Sequence, residues 1–442
     1  MPTYQVTGGV PLFGSVRIGG AKNASFKLMI AALLGKSPSR LLNFSHISDV
    51  AAVAKIIREL GAKAEVVGER AYMIDPAKIS QHVISSEYGE GTRASTLFLP
   101  ALLHHFGEAE VPFPGGDKIG SRPLDRHFEG LEALGVKLSN HGKSIHASAR
   151  ELKGTTYRFR KNTHTGTETL IMAAVLATGR TVLENAAEET EIDDLITFLN
   201  EMGAKIRRRP GRVIEVEGVA ALHGAVHKIM PDQNQAVSYA CAALATGGDI
   251  IVEDAIATDL QAFLEKLDEV GARYEIGKYG IRFFVDQPLV STDVMTAIHP
   301  GFKTDWQPLW VTMMTQAKGV STLHETISQS RFAYVESLRQ MGAQIELFQP
   351  VVSDPDAVYN FNIEEDIPGT EHAARITGPT ALQAGEFEVK DLRHGATLII
   401  AGLIAQGTTV LHDPANHIDR GYEQLAARLQ ALGAQITRRG DE

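Results

Sequence analysis

The stretch Asp193-Asp-Leu-Ile-Thr-Phe-Leu-Asn-Glu-Met-Gly-Ala-Lys205 reads as an amphipathic helix stopped by a glycine. Its apolar residues recur at three- and four-residue steps, leaving one face for burial. A glycine then ends the helix at little steric cost, and the strand Lys205-Ile-Arg-Arg begins. This ending recurs as Leu60-Gly-Ala, Leu134-Gly-Val, Met202-Gly-Ala, Val270-Gly-Ala, Met341-Gly-Ala and Leu432-Gly-Ala, at spacings of 74, 68, 68, 71 and 91 residues. Even spacing of six such tags marks an internal repeat.

Upstream of each amphipathic helix lies a more uniformly apolar one. Examples are Thr169-Leu-Ile-Met-Ala-Ala-Val-Leu-Ala, Val237-Ser-Tyr-Ala-Cys-Ala-Ala-Leu-Ala and Thr397-Leu-Ile-Ile-Ala-Gly-Leu-Ile-Ala. A helix apolar on all sides is buried, so these are expected to be internal. Short strands follow, as in Gly179-Arg-Thr-Val-Leu and Gly248-Asp-Ile-Ile-Val. The repeat thus predicts an α/β fold of six units in two groups of three, helices inside and sheets outside. The long final interval carries its excess between Gln349 and Gly385, where Asp354-Pro-Asp, Glu364-Glu-Asp and Pro368-Gly read as an insertion.

Composition is consistent with this. At 442 residues, 44% apolar and 22% charged, the chain is globular and long enough for two cores. A net charge of −10 argues against a nucleic-acid binder, though a locally basic site remains compatible with it. Cys241, the single cysteine, excludes an intrachain disulfide and a cysteine metal cluster. No apolar run reaches the ~20 residues of a membrane span, and Met1-Pro-Thr-Tyr-Gln-Val has no leader character. A cytoplasmic protein with no membrane partner is expected. No metal site is expected either, because HExxH is absent and the histidines are scattered. The segment Gly115-Gly-Asp-Lys-Ile-Gly-Ser lacks the Gly-Lys-Ser/Thr ending of a phosphate loop.

Polar residues gather where the apolar helices begin: Lys22-Asn23, Arg93, His164-Thr165, Asp232-Gln233, Asp305 and Arg393. A second set, Arg122, Asp125, Arg331 and Arg420, precedes the amphipathic helices. Helix starts offer unpaired N–H groups and partial positive charge, and with these cations they predict an anion site. Pattern alone names no reaction, and a repeat with solvated arginines also describes an interaction protein.

The motifs are more specific. Gly19-Gly-Ala-Lys-Asn-Ala, Thr92-Arg-Ala-Ser, Pro114-Gly-Gly-Asp-Lys-Ile-Gly-Ser-Arg-Pro-Leu-Asp, Glu184-Asn-Ala-Ala, His299-Pro-Gly-Phe-Lys-Thr-Asp, Arg331-Phe, Asp391-Leu-Arg and His417-Ile-Asp-Arg-Gly-Tyr resemble the enolpyruvyl transferases, in their nucleotide-sugar branch. The likeness runs from about Gly8 to Arg438. It implies an inside-out α/β barrel of two domains, each of three βαβαββ-type units, with residues 22–230 as one domain and 1–21 with 231–442 as the other.

The resemblance further implies transfer of enolpyruvyl from phosphoenolpyruvate to the 3-hydroxyl of UDP-N-acetylglucosamine, the opening of peptidoglycan synthesis, with these two small molecules as partners and no cofactor. Lys22, Arg122 and Arg420 match residues that hold the phosphate, and Arg331 and Arg393 are assigned to the carboxylate, with Asn23 beside them. Asp305 matches a carboxylate next to the acceptor hydroxyl. Asn23, Arg93, Arg122, Pro123, Leu124, Asp125, Arg126, Asn162, Thr163, His164, Thr165, Asp305 and Ile327 match nucleotide-sugar contacts. Asp117 stands where most relatives carry the cysteine that fosfomycin alkylates, and a carboxyl can donate the same proton if its pKa is raised. Insensitivity to fosfomycin is expected.

Other departures bear on the acceptor. Relatives usually have a basic residue at Asn162, small residues at His164 and Thr165, and arginine at Gln233. A neutral, hydrogen-bonded His164 is expected at neutral pH. Two alternatives follow: the same chemistry on shikimate 3-phosphate or another nucleotide, and a catalytically reduced paralogue that binds and regulates.

Overall fold

The computed structural model describes residues 1–89, 93–115 and 123–440. Asp117 and Arg122 lie outside them. Contacts divide the described chain into two units, one of residues 1–19 and 231–440 and the other of 20–89, 93–115 and 123–230. The division falls before Gly20, two residues ahead of the boundary expected after residue 21. Each unit has its own hydrophobic core.

In both units the apolar helices are the core. Gln233–Thr246 is buried from Gln233 to Leu244, Leu392–Ile404 from Leu392 to Leu403, and Gln307–Met314 throughout. The amphipathic helix Gln261–Val270 instead buries only Phe263, Leu264, Leu267 and Val270. Phe263 reaches inward to Trp306 and Trp310, ring centroids 6.0 and 5.9 Å away. The corresponding inner helices of the other unit are Lys22–Ala31, Leu99–Phe106 and His164–Ala174. All six tag glycines have φ between 75° and 101°, a region that only glycine enters without strain.

Among the described residues, six sheets cover these helices, three per unit. Each contains antiparallel pairs and is completed by a strand handed on from a neighbouring repeat. Thr156–Arg158 joins Arg180–Glu184 in parallel, Val226–Lys228 joins Ser39–Leu42, and Val83 bridges to Glu110. The handed-on strands link the three repeats of a unit into a ring, each sheet taking one strand from a neighbouring repeat. The second unit closes its ring through the chain's own beginning. Thr3–Thr7 lies between Thr408–His412 and Gln435–Arg439, and Phe13–Arg17 runs parallel to Asp249–Glu253. That is why residues 1–19 belong with the carboxy-terminal half.

The insertion has a structural role that its composition hides. Tyr359, Phe361 and His372 are buried together, with Tyr359 4.9 Å from Phe361 and 5.2 Å from His372 between ring centroids. His372 bonds Asp366 (2.7 Å), and Tyr359 shares a 3.1 Å hydrogen bond with His324. Asn360 N–H donates to Thr326 O and Glu325 N–H to His372 O, both at 2.8 Å, so the insertion backs the loop after strand Gly319–His324. Replacing Tyr359 with Ala is expected to destabilise the protein by about 3 kcal/mol through lost packing. Urea denaturation followed by tryptophan fluorescence measures it, since both tryptophans lie in this unit.

Candidate active site

The carboxy-terminal unit assembles three of the residues singled out above. Asp305 lies in the turn before helix Gln307–Met314, and Arg393 is near the start of Leu392–Ile404. Arg331 Nη2 donates to Asp305 Oδ1 at 2.5 Å, while Arg393 bonds the same carboxylate through Nε (3.3 Å) and Nη2 (3.1 Å). Both arginines are buried, at 6% and 9% exposure, whereas the Asp305 side chain keeps 30%. The carboxylate is thus the accessible member of a cationic pocket. Burial disfavours the Arg393 charge, but Asp305, Tyr422 and Asp232 outweigh it and raise its pKa. Guanidinium planarity suits two-point binding of a carboxylate.

Neighbouring groups fix this pair. Arg393 Nη1 donates to the Tyr422 hydroxyl (2.8 Å), which bonds Ser238 Oγ (2.9 Å) on helix Gln233–Thr246. Tyr422 follows the 3-10 turn Ile418–Arg420 by two residues, so Arg420 sits on the same tethered loop. The Asp413 carboxylate shapes that loop by accepting the His417 and Ile418 N–H groups at 2.7 and 2.9 Å.

Glu325 does the equivalent work one repeat earlier, and sequence reasoning missed it. It is fully buried, accepts Ile327 N–H (2.8 Å) and Ser328 N–H (3.0 Å), and is bonded by Thr296 and Thr304 hydroxyls. Burial raises its pKa, against the pull of these donors and of Arg331. The usable signal was positional: Glu325 and Asp413 each follow the first strand of their repeat.

His394, beside Arg393, is the neutral member of this region. Its Nδ1 accepts Lys390 N–H (3.0 Å), and Nε2 faces Ser337 Oγ (3.0 Å). Burial is the main cause that pushes its pKa down to about 4, against about 6.5 in an unfolded chain. Between those values the unfolded chain binds the extra proton, so this stability is complete above about pH 6.5 and is lost as pH falls through 4. We expect the stability difference between wild type and His394→Gln, read from urea midpoints, to shrink by up to about 3 kcal/mol over that window.

The expectation of six open helix starts needs correction. Asp232 caps its helix by accepting Asn234 and Gln235 N–H groups at 2.8 and 3.2 Å. Asp391 does the same for Arg393 and His394 at 2.8 and 2.9 Å. A carboxylate built into the cap satisfies the donors an anionic ligand would use, so these two starts contribute their side chains rather than their N–H groups.

The amino-terminal unit holds the other set. Lys22 opens helix Lys22–Ala31, followed by Asn23, and its ammonium bonds Asp49 Oδ2 at 2.8 Å. Arg93 opens the turn Arg93–Phe98, and Pro123 and Leu124 lead into Asp125 and Arg126 on helix Asp125–Ala133. Arg126 Nη1 donates to Asn162 O (3.0 Å), and Asn162 is buried with its amide on Asn185 O (3.2 Å). Thr163 caps helix His164–Ala174 through Gly166 N–H, and Thr165 shares a 2.9 Å hydrogen bond with His127.

His164 lies among charged groups. Its Nε2 lies 3.1 Å from Lys27 Nζ and 3.2 Å from Glu168 Oε1. Burial and the Lys27 ammonium lower its pKa, but Glu168 and Glu189 outweigh them and raise it above the ordinary value. Among the described residues no histidine, cysteine and carboxylate group has a metal-binding arrangement, and no helix is long and apolar enough to cross a membrane.

Comparison with known proteins agrees with this architecture. The family model for EPSP synthase (3-phosphoshikimate 1-carboxyvinyltransferase) matches residues 6–429. A UDP-N-acetylglucosamine 1-carboxyvinyltransferase of Koribacter versatilis is 37% identical, with 100% of this chain and 97% of that protein covered. One from Desulforapulum autotrophicum is 39% identical, covering 99% and 100%. Among solved structures, the enolpyruvyl transferase NikO from Streptomyces tendae superposes with a TM-score of 0.85 at 21% identity, covering 100% of this chain and 99% of that one. EPSP synthase from Acinetobacter baumannii gives 0.72 at 16%, covering both chains fully. With two rings of three repeats and a full-length match, the chain belongs to the EPSP synthase family of enolpyruvyl transferases.

Proposed function

We propose that the protein transfers the enolpyruvyl group of phosphoenolpyruvate to the 3-hydroxyl of UDP-N-acetylglucosamine, releasing phosphate. The observation that carries the reading is the Arg331–Asp305–Arg393 cluster, in which two buried guanidiniums hold one partly exposed carboxylate. The carboxylate of phosphoenolpyruvate is the natural competitor for those guanidiniums. Its arrival exchanges with Asp305 and releases that side chain to accept the proton of the acceptor hydroxyl.

Addition then proceeds as the acceptor oxygen bonds to the carbon bearing the phosphate while the methylene carbon gains a proton. Asp117 is assigned as the donor. In the second half the phosphate leaves and the methyl group gives up one proton, restoring the double bond. Lys22, Arg122 and Arg420 are assigned to the phosphate, whose departing charge they stabilise. Asn23, Arg93, Pro123, Leu124, Asp125, Arg126, Asn162–Thr165 and Ile327 are assigned to the nucleotide sugar. The product is a peptidoglycan precursor, and a cytoplasmic setting belongs to the same reading.

Relatives bearing the nucleotide-sugar enzyme's name, 37% and 39% identical over essentially the whole chain, favour this acceptor over shikimate 3-phosphate. Phosphate release in the presence of phosphoenolpyruvate and each acceptor in turn tests the choice. Release with UDP-N-acetylglucosamine alone is expected; release with shikimate 3-phosphate alone overturns it.

A further inference from the structure

The segment that delivers Asp305 to the two guanidiniums is held at both ends by one side chain. Glu325 Oε1 accepts the Thr296 hydroxyl at 3.0 Å, and Glu325 Oε2 accepts the Thr304 hydroxyl at 2.9 Å. Thr304 immediately precedes Asp305. The same Oε1 accepts the Ile327 and Ser328 N–H groups at 2.8 and 3.0 Å, where the loop to Arg331 begins. Ser328 Oγ lies 3.2 Å from Thr304 Oγ1 and joins the two segments directly. Thr326 adds two bonds to Thr296, donating its N–H to the hydroxyl (2.8 Å) and its own hydroxyl to the carbonyl (2.6 Å).

A carboxylate that merely shapes a loop has a simpler set of contacts. Asp413 accepts N–H groups of its own loop, at His417 and Ile418. Glu325 is 0% exposed, and taking a carboxylate out of water is costly unless donors meet both oxygens. Two of its donors belong to the segment that ends at Asp305 and two to the loop that ends at Arg331. Glu325 therefore ties the base to the carboxylate clamp. An anion that displaces Asp305 from Arg331 and Arg393 leaves this buried side chain in place.

We infer that Glu325 is a positioning residue for the transfer: acting through Thr304, it holds the Asp305 backbone and the Arg331 loop in one mutual geometry while Asp305 exchanges partners. This rests on the reading of Asp305 as the base. The last link before Asp305 is the Thr304 hydroxyl, which is therefore the point to test. Glu325→Gln keeps the size of the side chain and one oxygen for the N–H groups, but it turns an amide donor toward Thr304. Thr304→Val removes the hydroxyl from the other side of the same bond.

Steady-state kinetics of the full chain with phosphoenolpyruvate and UDP-N-acetylglucosamine test this, with urea midpoints as the measure of folding. Thr304→Val and Glu325→Gln are each expected to lower kcat about tenfold, with the KM for phosphoenolpyruvate within about twofold of wild type. Thr304→Ser, which keeps the hydroxyl, should recover the rate. Because both changes break one bond, the double variant should be no slower than the slower single one. Wild-type kcat in either single variant overturns the inference, as do losses that multiply to about a hundredfold in the double one. So does a Thr304→Ser variant as slow as Thr304→Val, or a loss accounted for by unfolded protein with normal kcat per folded molecule. Absence of turnover by folded wild type with both substrates instead overturns the reading of the reaction.

Discussion

Replacing Asp305 with Ala is expected to lower kcat by about 10²- to 10⁴-fold, the usual contribution of a positioned general base. The same change removes the anion that bridges Arg331 and Arg393, at 2.5 and 3.1 Å. Its effect on phosphoenolpyruvate is therefore expected in the opposite direction. The KM for phosphoenolpyruvate should stay level or fall, because the substrate carboxylate no longer displaces an internal one. Replacing Arg393 with Met should raise that KM instead and leave Asp305 with one guanidinium. Steady-state kinetics over both substrates separate the cases. A binding protein without catalysis would show weaker binding in both variants and no turnover in wild type.

Asp117→Asn is the second substitution with a large expected effect, again about 10²- to 10⁴-fold in kcat, since an amide cannot donate the proton that addition requires. Asp117→Cys should retain turnover and become subject to time-dependent inactivation by fosfomycin, with an adduct at the new thiol. Wild type should be untouched by it, because a carboxylate is a poor substitute for a thiolate as nucleophile. Intact-protein mass spectrometry reads both outcomes. A covalent adduct on Asp117 itself would contradict the assignment.

The fold was largely legible because it is periodic. Six glycines with left-handed φ repeat one local instruction, and the uniformly apolar stretches announce the inner helices. Ring closure was not legible. It depends on strands of two or three residues, such as Val294–Met295 and Thr156–Arg158, and on pairing Thr3–Thr7 with Gln435–Arg439 across the whole chain. Strands that short carry no two-residue alternation, and partners that remote leave no local trace.

The site divides in a similar way. Asp305, Arg331 and Arg393 stand in recognisable motifs, and the structure brings them onto one another. Glu325 and the Lys27–Glu168 pair went unseen because their partners are not sequence neighbours: Glu325 is bonded by Thr296 and Thr304 hydroxyls, and Lys27 meets Glu168 from a different inner helix. Lys27 and Glu168 are 141 positions apart. The anion-trap argument overreached at Asp232 and Asp391 for a local reason: an aspartate just before a helix is first of all its cap. In the insertion, Tyr359, Phe361 and His372 were hidden among acids and prolines whose composition reads as loop.

The most direct test of the whole account is the mass of the product formed from UDP-N-acetylglucosamine and phosphoenolpyruvate by the purified protein. The account predicts a species heavier than the nucleotide sugar by one enolpyruvyl unit, formed in step with inorganic phosphate and absent with Asp305→Ala. Unchanged nucleotide sugar after long incubation with folded protein, or phosphate release without that product, would contradict it.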